Sequence, residues 1–289
     1  MSGPYEEPSD TDTSKLDDEP SVTLHRSRQG LAAAVLRDIG RVRQSNQDSA
    51  FAMVTSLPRE QRDLALGLFV IADGMGGHDS GDVASRLAIR TVLAEIVTEL
   101  LLPAMDDDMS AVLQPLMVSA VQEANRVIWE YAQDNHSDMG TTCTAALLIG
   151  NAVYIAHVGD SRAYLLEPGG LNQLTNDHST VGRLIQLGQL EPWQAREHPN
   201  RNQLYRAVGQ QPHVAVDFVY QTINNATHLL LCSDGLWGML SEEQIQQALL
   251  HSPWPQDVCD ELIALANLAG GEDNISAVVV TLPIVERTR

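Results

Sequence analysis

Basic residues are scarce in this 289-residue chain: Lys and Arg number 18 against 38 Asp and Glu, for a formal net charge of −20. That balance excludes nucleic acid or an anionic membrane surface as a principal partner, because phosphate groups reward clustered Lys and Arg. An acidic chain is instead suited to binding cations. Cysteine is scarce too: Cys143, Cys232 and Cys259 lie far apart in apolar surroundings and form neither a zinc pattern nor an even disulfide set. A reducing cytoplasm is the expected compartment, and a monomer the expected state. Long hydrophobic runs are absent, and the N-terminus is acidic where a secretory signal is basic and then apolar. A soluble chain is expected.

A hydrophobic content of 44% is ample for a large core. Residues 1–28 are rich in Ser, Asp, Glu, Pro and Thr with hardly any large apolar residue, so they read as a disordered acidic tail before one domain spanning 29–289. Apolar runs predict strands over Leu31–Leu36, Ser49–Val54 and Leu68–Ala72. A helix is expected from Gly81 to about Leu102, and a second, with apolar residues at helical spacing, between Ser110 and Asp134. Strands follow over Thr142–Ile149 and Ala152–Val158, joined by Gly150-Asn151 as a tight hairpin, and over Ser161–Leu166. The stretch from His178 to Gly209 is polar with short helical patches at Val181–Leu187 and Pro192–Glu197, and it reads as a mobile excursion beside a cleft. Val214–Tyr220 and Leu229–Cys232 return to strand, helices are expected over Glu242–Leu250 and Gln256–Leu268, and Ile275–Thr281 closes as a strand. Strands and helices in blocks, not in alternation, predict an α+β fold with antiparallel sheets.

The stretch LFVIADGMGGHDSGDVA, Leu68–Ala84, ends a buried run in Asp73 and a cluster of glycines. It suits an ion site, since a carboxylate at a strand end can face a cleft beside unshielded backbone groups. It suits equally a strand-to-helix turn in which Asp79 or Ser80 caps the helix. The same plan recurs in LLLCSDG with Asp234, in YIAHVGDSR with Asp160, and in GGEDNISAVVV with Asp273. A turn former accounts for any one of these acids. Four at the same kind of junction favour a shared cause, because clustered carboxylates repel one another unless cations neutralise them. All-oxygen ligation selects Mg²⁺ or Mn²⁺ over zinc. Two such ions roughly 3.5–4 Å apart can activate a water for attack at phosphorus. In GRVRQSNQD, Arg43 lies five residues ahead of Asp48 and is suited to bidentate phosphate contacts, or to an ordinary surface ion pair.

Taken together, Gly40-x-x-Arg43-x-x-Asn46-Gln47-Asp48, Asp73-Gly74-Met75-Gly76-Gly77-His78, Met139-Gly140-Thr141-Thr142, His157-Val158-Gly159-Asp160-Ser161-Arg162, Cys232-Ser233-Asp234-Gly235 and Asp273-Asn274 stand in an ordered series. That series resembles the metal-dependent protein phosphatases of the type 2C, or PPM, family, in particular its compact bacterial members, over roughly Leu31–Thr281. The resemblance implies a central sandwich of two antiparallel β-sheets flanked by α-helices, a four-layer αββα arrangement with metals in a cleft at one end. It implies hydrolysis of phosphoserine and phosphothreonine on proteins by direct attack of a metal-bridging water or hydroxide, opposing a serine/threonine kinase. By the same resemblance Asp73 bridges two metals, Asp234 and Asp273 complete one, and the Gly74 carbonyl binds the other. Asp48 acts through water, Arg43 clamps the phosphate, Asp160 joins Asp234 at a third metal, and residues 180–209 form a flap that influences substrate access. Gln47 stands where many relatives have Glu. Met75 stands where animal enzymes have a His proposed as general acid, which leaves protonation of the leaving group unassigned. None of the three cysteines has an Arg six residues on, so no Cys-x₅-Arg nucleophile loop competes with the metal reading. A fold retained only for binding phosphoprotein would be expected to have lost a metal acid, and all are present. Hydrolysis of another phosphoester is the remaining alternative.

Overall fold

Strands marked by unbroken apolar runs have two faces to bury, and two buried faces need cover on both sides. The computed structural model describes residues 25–26, 30–57, 63–76, 80–106, 110–191, 194 and 198–282. Its strands are β1 (His25–Arg26), β2 (Ala32–Asp38), β3 (Asp48–Leu57), β4 (Leu64–Met75), β5 (Gly140–Thr141), β6 (Cys143–Ile149), β7 (Ala152–Val158), β8 (Arg162–Glu167), β9 (Gly170–Gln173), β10 (Asp217–Thr222), β11 (His228–Cys232) and β12 (Ile275–Thr281). One sheet runs β1-β2-β12-β11-β8-β9, the other β10-β7-β6-β4-β3 with β5 paired to β4. The helices are α1 (Ser80–Ile96), α2 (Leu102–Met105), α3 (Leu113–Asp134), α4 (Thr180–Gln186), α5 (Asp234–Trp237), α6 (Glu242–His251) and α7 (Pro255–Leu268).

Period-two alternation assigns each strand residue to a layer. On β4, Phe69 and Ile71 pack between the sheets with Leu229, Leu231 and Val278. Leu68, Val70 and Ala72 face the other way, onto Val92 of α1 and Val121 and Ile128 of α3. On β12, Ala277 and Val279 pack with Leu249 of α6 and Leu262 of α7. The order is therefore helix, sheet, sheet, helix, as the resemblance implies, and every pairing within the sheets is antiparallel.

The differences from the sequence expectation are local. The strand expected to stop at Ala72 continues to Met75, because Gly74 and Met75 pair with Thr141 and Gly140 of β5. Asp73 therefore lies within a strand, not at its end. The first helix does not run unbroken to Leu102: α1 ends at Ile96 and a π-helical turn, Val97–Leu101, leads into α2. Strand β9 and the single-turn α5 have no counterpart in the expected pattern, and β10 begins three residues later than Val214. Strand β1 falls inside the stretch assigned to the tail, residues 1–28, of which 1–24 and 27–28 lie outside the described ones. So does most of the helical patch expected at Pro192–Glu197, including Trp193.

The layer between the sheets fixes how the two strand sets meet, and Leu231 is fully buried in it. Leu231→Ala is expected to cost about 2–5 kcal/mol in urea unfolding, with the slope of the transition unchanged. A loss well under 1 kcal/mol would show that this layer does not carry the fold.

Candidate active site

Strand register brings the predicted acids to one end of the sandwich. Asp48 and Asp73 are directly opposed on β3 and β4. Asp234 opens α5 immediately after β11, Asp273 precedes β12, and Asp160 lies in the β7–β8 turn. Because β12, β11 and β8 are neighbours, the last three acids lie side by side at one sheet's edge.

Backbone bonds, more than side-chain contacts, fix these positions. Asp73 N donates to Thr142 Oγ1 at 2.8 Å, while Thr142 N and Thr141 Oγ1 each donate to Asp73 O at 2.9 Å. Gly74 packs so closely on the opening of α1 that a Cβ there would sit 2.1 Å from Gly81 O. Asn274 ties the Arg43 loop to the Asp273 turn: its Nδ2 donates to Ile39 O and Ser45 O, both at 3.0 Å, and its Oδ1 accepts from Gln47 N at 2.8 Å. A Cβ on Gly235 would lie 2.1 Å from Asn274 O, so Asp234 can follow β11 only if glycine comes next. Trp237 Nε1 donates to Asp160 O at 3.0 Å, and the Arg162 guanidinium lies 3.6 Å over the Trp237 ring while forking onto Asp177.

The resulting field is strongly unfavourable to charge. Burial, reinforced by Asp234 and Asp273 and partly offset by the Ser233 hydroxyl, raises Asp48 to about 7. Asp73 is held well above the usual carboxylate range by burial and then by Asp48, Asp234, Asp160 and Asp273. Burial and then Asp234 raise Asp160, and burial and then Asp273 push Asp234 up to about 6. Arg43 meets this cluster as a cation: its Nη2 donates to Asp273 Oδ2 at 2.6 Å.

Whether the residues suit a divalent ion is decided by the oxygens left over. Asp48 Oδ2 accepts from Ser233 Oγ at 2.7 Å, but Asp48 Oδ1 is buried with no hydrogen-bond partner, and Asp234 Oδ1 is in the same condition. Buried carboxylate oxygens without donors are costly, and a hard cation satisfies them without a proton. As the side chains stand, no three His, Cys, Asp or Glu groups among the described residues converge on one point as ligands do. Asp273 is turned to Arg43 and Asp48 to Ser233. The donor set, carboxylate and carbonyl oxygens with two buried carboxylate oxygens left unpaired, fits Mg²⁺ or Mn²⁺ chemically.

All seven predicted residues, Arg43, Asp48, Asp73, Gly74, Asp160, Asp234 and Asp273, lie on the elements that border this end of the sandwich. The sequence reading missed Thr142, Ser233 and Trp237 as supports. Thr142 and Ser233 stood within the quoted motifs, whereas Trp237 lies outside them. Gln210 Nε2 lies 3.5 Å from the Met75 sulfur, and His78 lies outside the described residues.

Known proteins share both the pattern and the architecture. Residues 41–262 match the protein family described as protein phosphatase 2C. A serine/threonine phosphatase, stp, from Listeria monocytogenes is 37% identical over 87% of this chain and 96% of its own length. Protein phosphatase PhpP of Streptococcus pneumoniae is 33% identical over 86% of the chain and 96% of its own. Among solved structures, the Mycobacterium tuberculosis serine/threonine phosphatase PstP/Ppp superposes with a TM-score of 0.72 at 34% identity, covering 87% of this chain and 98% of that one. The catalytic domain of serine/threonine protein phosphatase PstP in complex with two manganese ions gives 0.71 at 34% identity, covering 87% and 97%.

The raised carboxylates carry a linkage consequence. A carboxyl whose folded pKa lies above its unfolded value stabilises the fold fully at pH below the unfolded value, and that contribution is lost as pH rises through the folded value. For Asp234 the window runs from about 4 to about 6. In protein stripped of divalent ions by a chelator, Asp234→Asn is expected to be more stable than the parent by roughly 1–3 kcal/mol at pH 7.5, with the gain shrinking toward pH 4.5. Urea unfolding at the two pH values measures it. Equal stability at pH 7.5 would contradict the repulsive cluster.

Proposed function

We propose, for a chain that belongs to the protein phosphatase 2C family and is a metal-dependent serine/threonine protein phosphatase, that the acids above form its metal centre and that hydrolysis is direct, without a phosphoenzyme. The observation that carries the reading is the pair of partnerless buried oxygens, Asp48 Oδ1 and Asp234 Oδ1, in a cluster of mutually repelling carboxylates faced by the Arg43 guanidinium.

Asp73 would contact two ions, with Asp234 and Asp273 completing one and the Gly74 carbonyl the other. Asp48 would act through water, and Asp160 would share a third ion with Asp234. Bound Mg²⁺ or Mn²⁺ supplies Lewis acidity toward the phosphoryl oxygens and lowers the pKa of a water near neutrality. The protein's own part is placement. Asn274 and the Gly40–Arg43 loop aim the Arg43 guanidinium into the cleft, where its planar fork suits two phosphoryl oxygens. Asp273 holds that fork until a substrate phosphate competes for it. Water adds to phosphorus in line as the bond to the seryl or threonyl oxygen breaks, the water's surplus proton passes to solvent, and the departing alkoxide takes up a proton that the Met75 thioether cannot supply.

The substrates are phosphorylated proteins, and a serine/threonine kinase must supply them. Among the described residues no helix is long and apolar enough to cross a membrane. The compartment proposed is the cytoplasm, where the three buried, unpaired cysteines stay reduced, and the enzyme is proposed to act as a monomer.

Phosphate release from a phosphothreonine peptide should require added Mn²⁺ or Mg²⁺ and stop with chelator. Asp73→Asn and Asp234→Asn should each lower kcat/KM by about 100-fold or more, and Arg43→Ala by about 10–100-fold, the worth of a charge-assisted contact pair. Undiminished turnover in either Asp variant would overturn the assignment. Faster turnover of a nucleotide monoester than of the phosphopeptide would overturn the substrate class.

A further inference from the structure

The excursion that starts at His178 leaves and rejoins the body of the protein at Gly159, which precedes Asp160, and at Thr141, which holds the Asp73 carbonyl. On the outgoing side, His178 N donates to Gly159 O at 2.7 Å, and Gly159 N donates back to His178 Nδ1 at 3.0 Å. On the return, Tyr205 N donates to His178 O at 2.9 Å. Val208 then exchanges backbone bonds of 2.8 and 3.0 Å with Thr141, whose Oγ1 donates to Asp73 O.

The ring of His178 has a second partner. Its side chain is 2% exposed, and Nε2 lies 3.1 Å from Asp217 Oδ2 at the start of β10. The other oxygen of that carboxylate accepts from Arg206 Nη1 at 2.6 Å, and Arg206 belongs to the return limb. Because the Gly159 N–H needs an acceptor at Nδ1, the ring proton sits on Nε2 and faces Asp217. Arg206 Nη1, itself 3.0 Å from Nε2, is held there by the shared carboxylate. Gly159 has φ +112°, reserved for glycine, and its peptide sets the direction in which Asp160 leaves the turn. The Asp160 carbonyl is separately fixed by Trp237.

We propose that His178 is a positioning residue that, through Asp217 and Arg206, makes the placement of the flap and the set of the Gly159–Asp160 turn one mechanical unit. A shift of the return limb takes Arg206 from Asp217, frees that carboxylate to leave His178, and lets the ring turn away from the Gly159 amide. The inner links are buried, at the His178 ring and the Gly159 amide, and breaking one leaves a buried donor or acceptor unpaired, so the chain holds or releases together. The consequence for metal binding rests on the reading of Asp160 as an ion ligand. The coupling itself does not.

Hydrogen exchange on the full chain treated with chelator tests the coupling, followed in peptides covering residues 156–163 and 198–206. Arg206→Gln is expected to raise exchange about fivefold in both. His178→Asn keeps an acceptor near the Nδ1 position and loses the link to Asp217. It should leave 156–163 near the parent level, raise 198–206, and abolish the effect of Arg206→Gln on 156–163. Asp217→Asn, at the sheet edge, should behave as Arg206→Gln does and serves if that variant folds poorly. Exchange that rises only in 198–206 with Arg206→Gln, or an effect on 156–163 that persists in full on the His178→Asn background, overturns the proposal. In the same variants the Mn²⁺ concentration for half-maximal phosphopeptide turnover should rise about fivefold, with kcat at saturating Mn²⁺ within twofold of the parent. Coupled exchange with an unmoved Mn²⁺ midpoint would uphold the coupling and overturn the place of Asp160 in the metal centre.

Discussion

Repulsion among buried carboxylates is the constraint around which this protein is built. Asp48, Asp73, Asp160 and Asp234 each lie where burial and neighbouring acids oppose ionisation. A fold that gathers them is destabilised at neutral pH unless cations are present, and that same unmet demand is the driving force for binding divalent ions. The four-layer scaffold provides the compensation: sheets buried on both faces supply the stability that tolerates such a site.

The scaffold holds the acids by their backbones and leaves their oxygens available. Thr141 and Thr142 grip the Asp73 peptide, Trp237 grips the Asp160 carbonyl, and Asn274 joins the Arg43 loop to Asp273. Side-chain pairing among the acids is sparse, and the principal exception, Arg43 with Asp273, joins a 50%-exposed guanidinium to a partly exposed carboxylate that a phosphate or an ion can displace. Rigid backbone with under-satisfied side chains is what a preorganised electrostatic site requires.

Much of this was legible in the residues. The apolar runs of β4, β11 and β12 and the acids that follow or interrupt them are local signals, and six short motifs in order specified the family. What was illegible depends on contacts remote in sequence. Asp73 lies inside a strand, not at its end, because β5, some 65 residues later, extends the ladder. The part played by Trp237 was illegible because a tryptophan's packing and its N–H donor have the same sequence signature. The short α5 is only four residues long, and its apolar positions cannot show a helical period. The relay through His178 joins three segments, and nothing in its neighbours' spacing announces it.

The most direct test of the metal centre is an anomalous diffraction map from crystals grown with Mn²⁺. Two peaks are expected, both touching Asp73, one shared with Asp234 and Asp273 and the other with the Gly74 carbonyl, and the Arg43 guanidinium should have left Asp273. Manganese bound elsewhere, with Arg43 still paired to Asp273 and Asp234 Oδ1 still without a partner, would contradict the account.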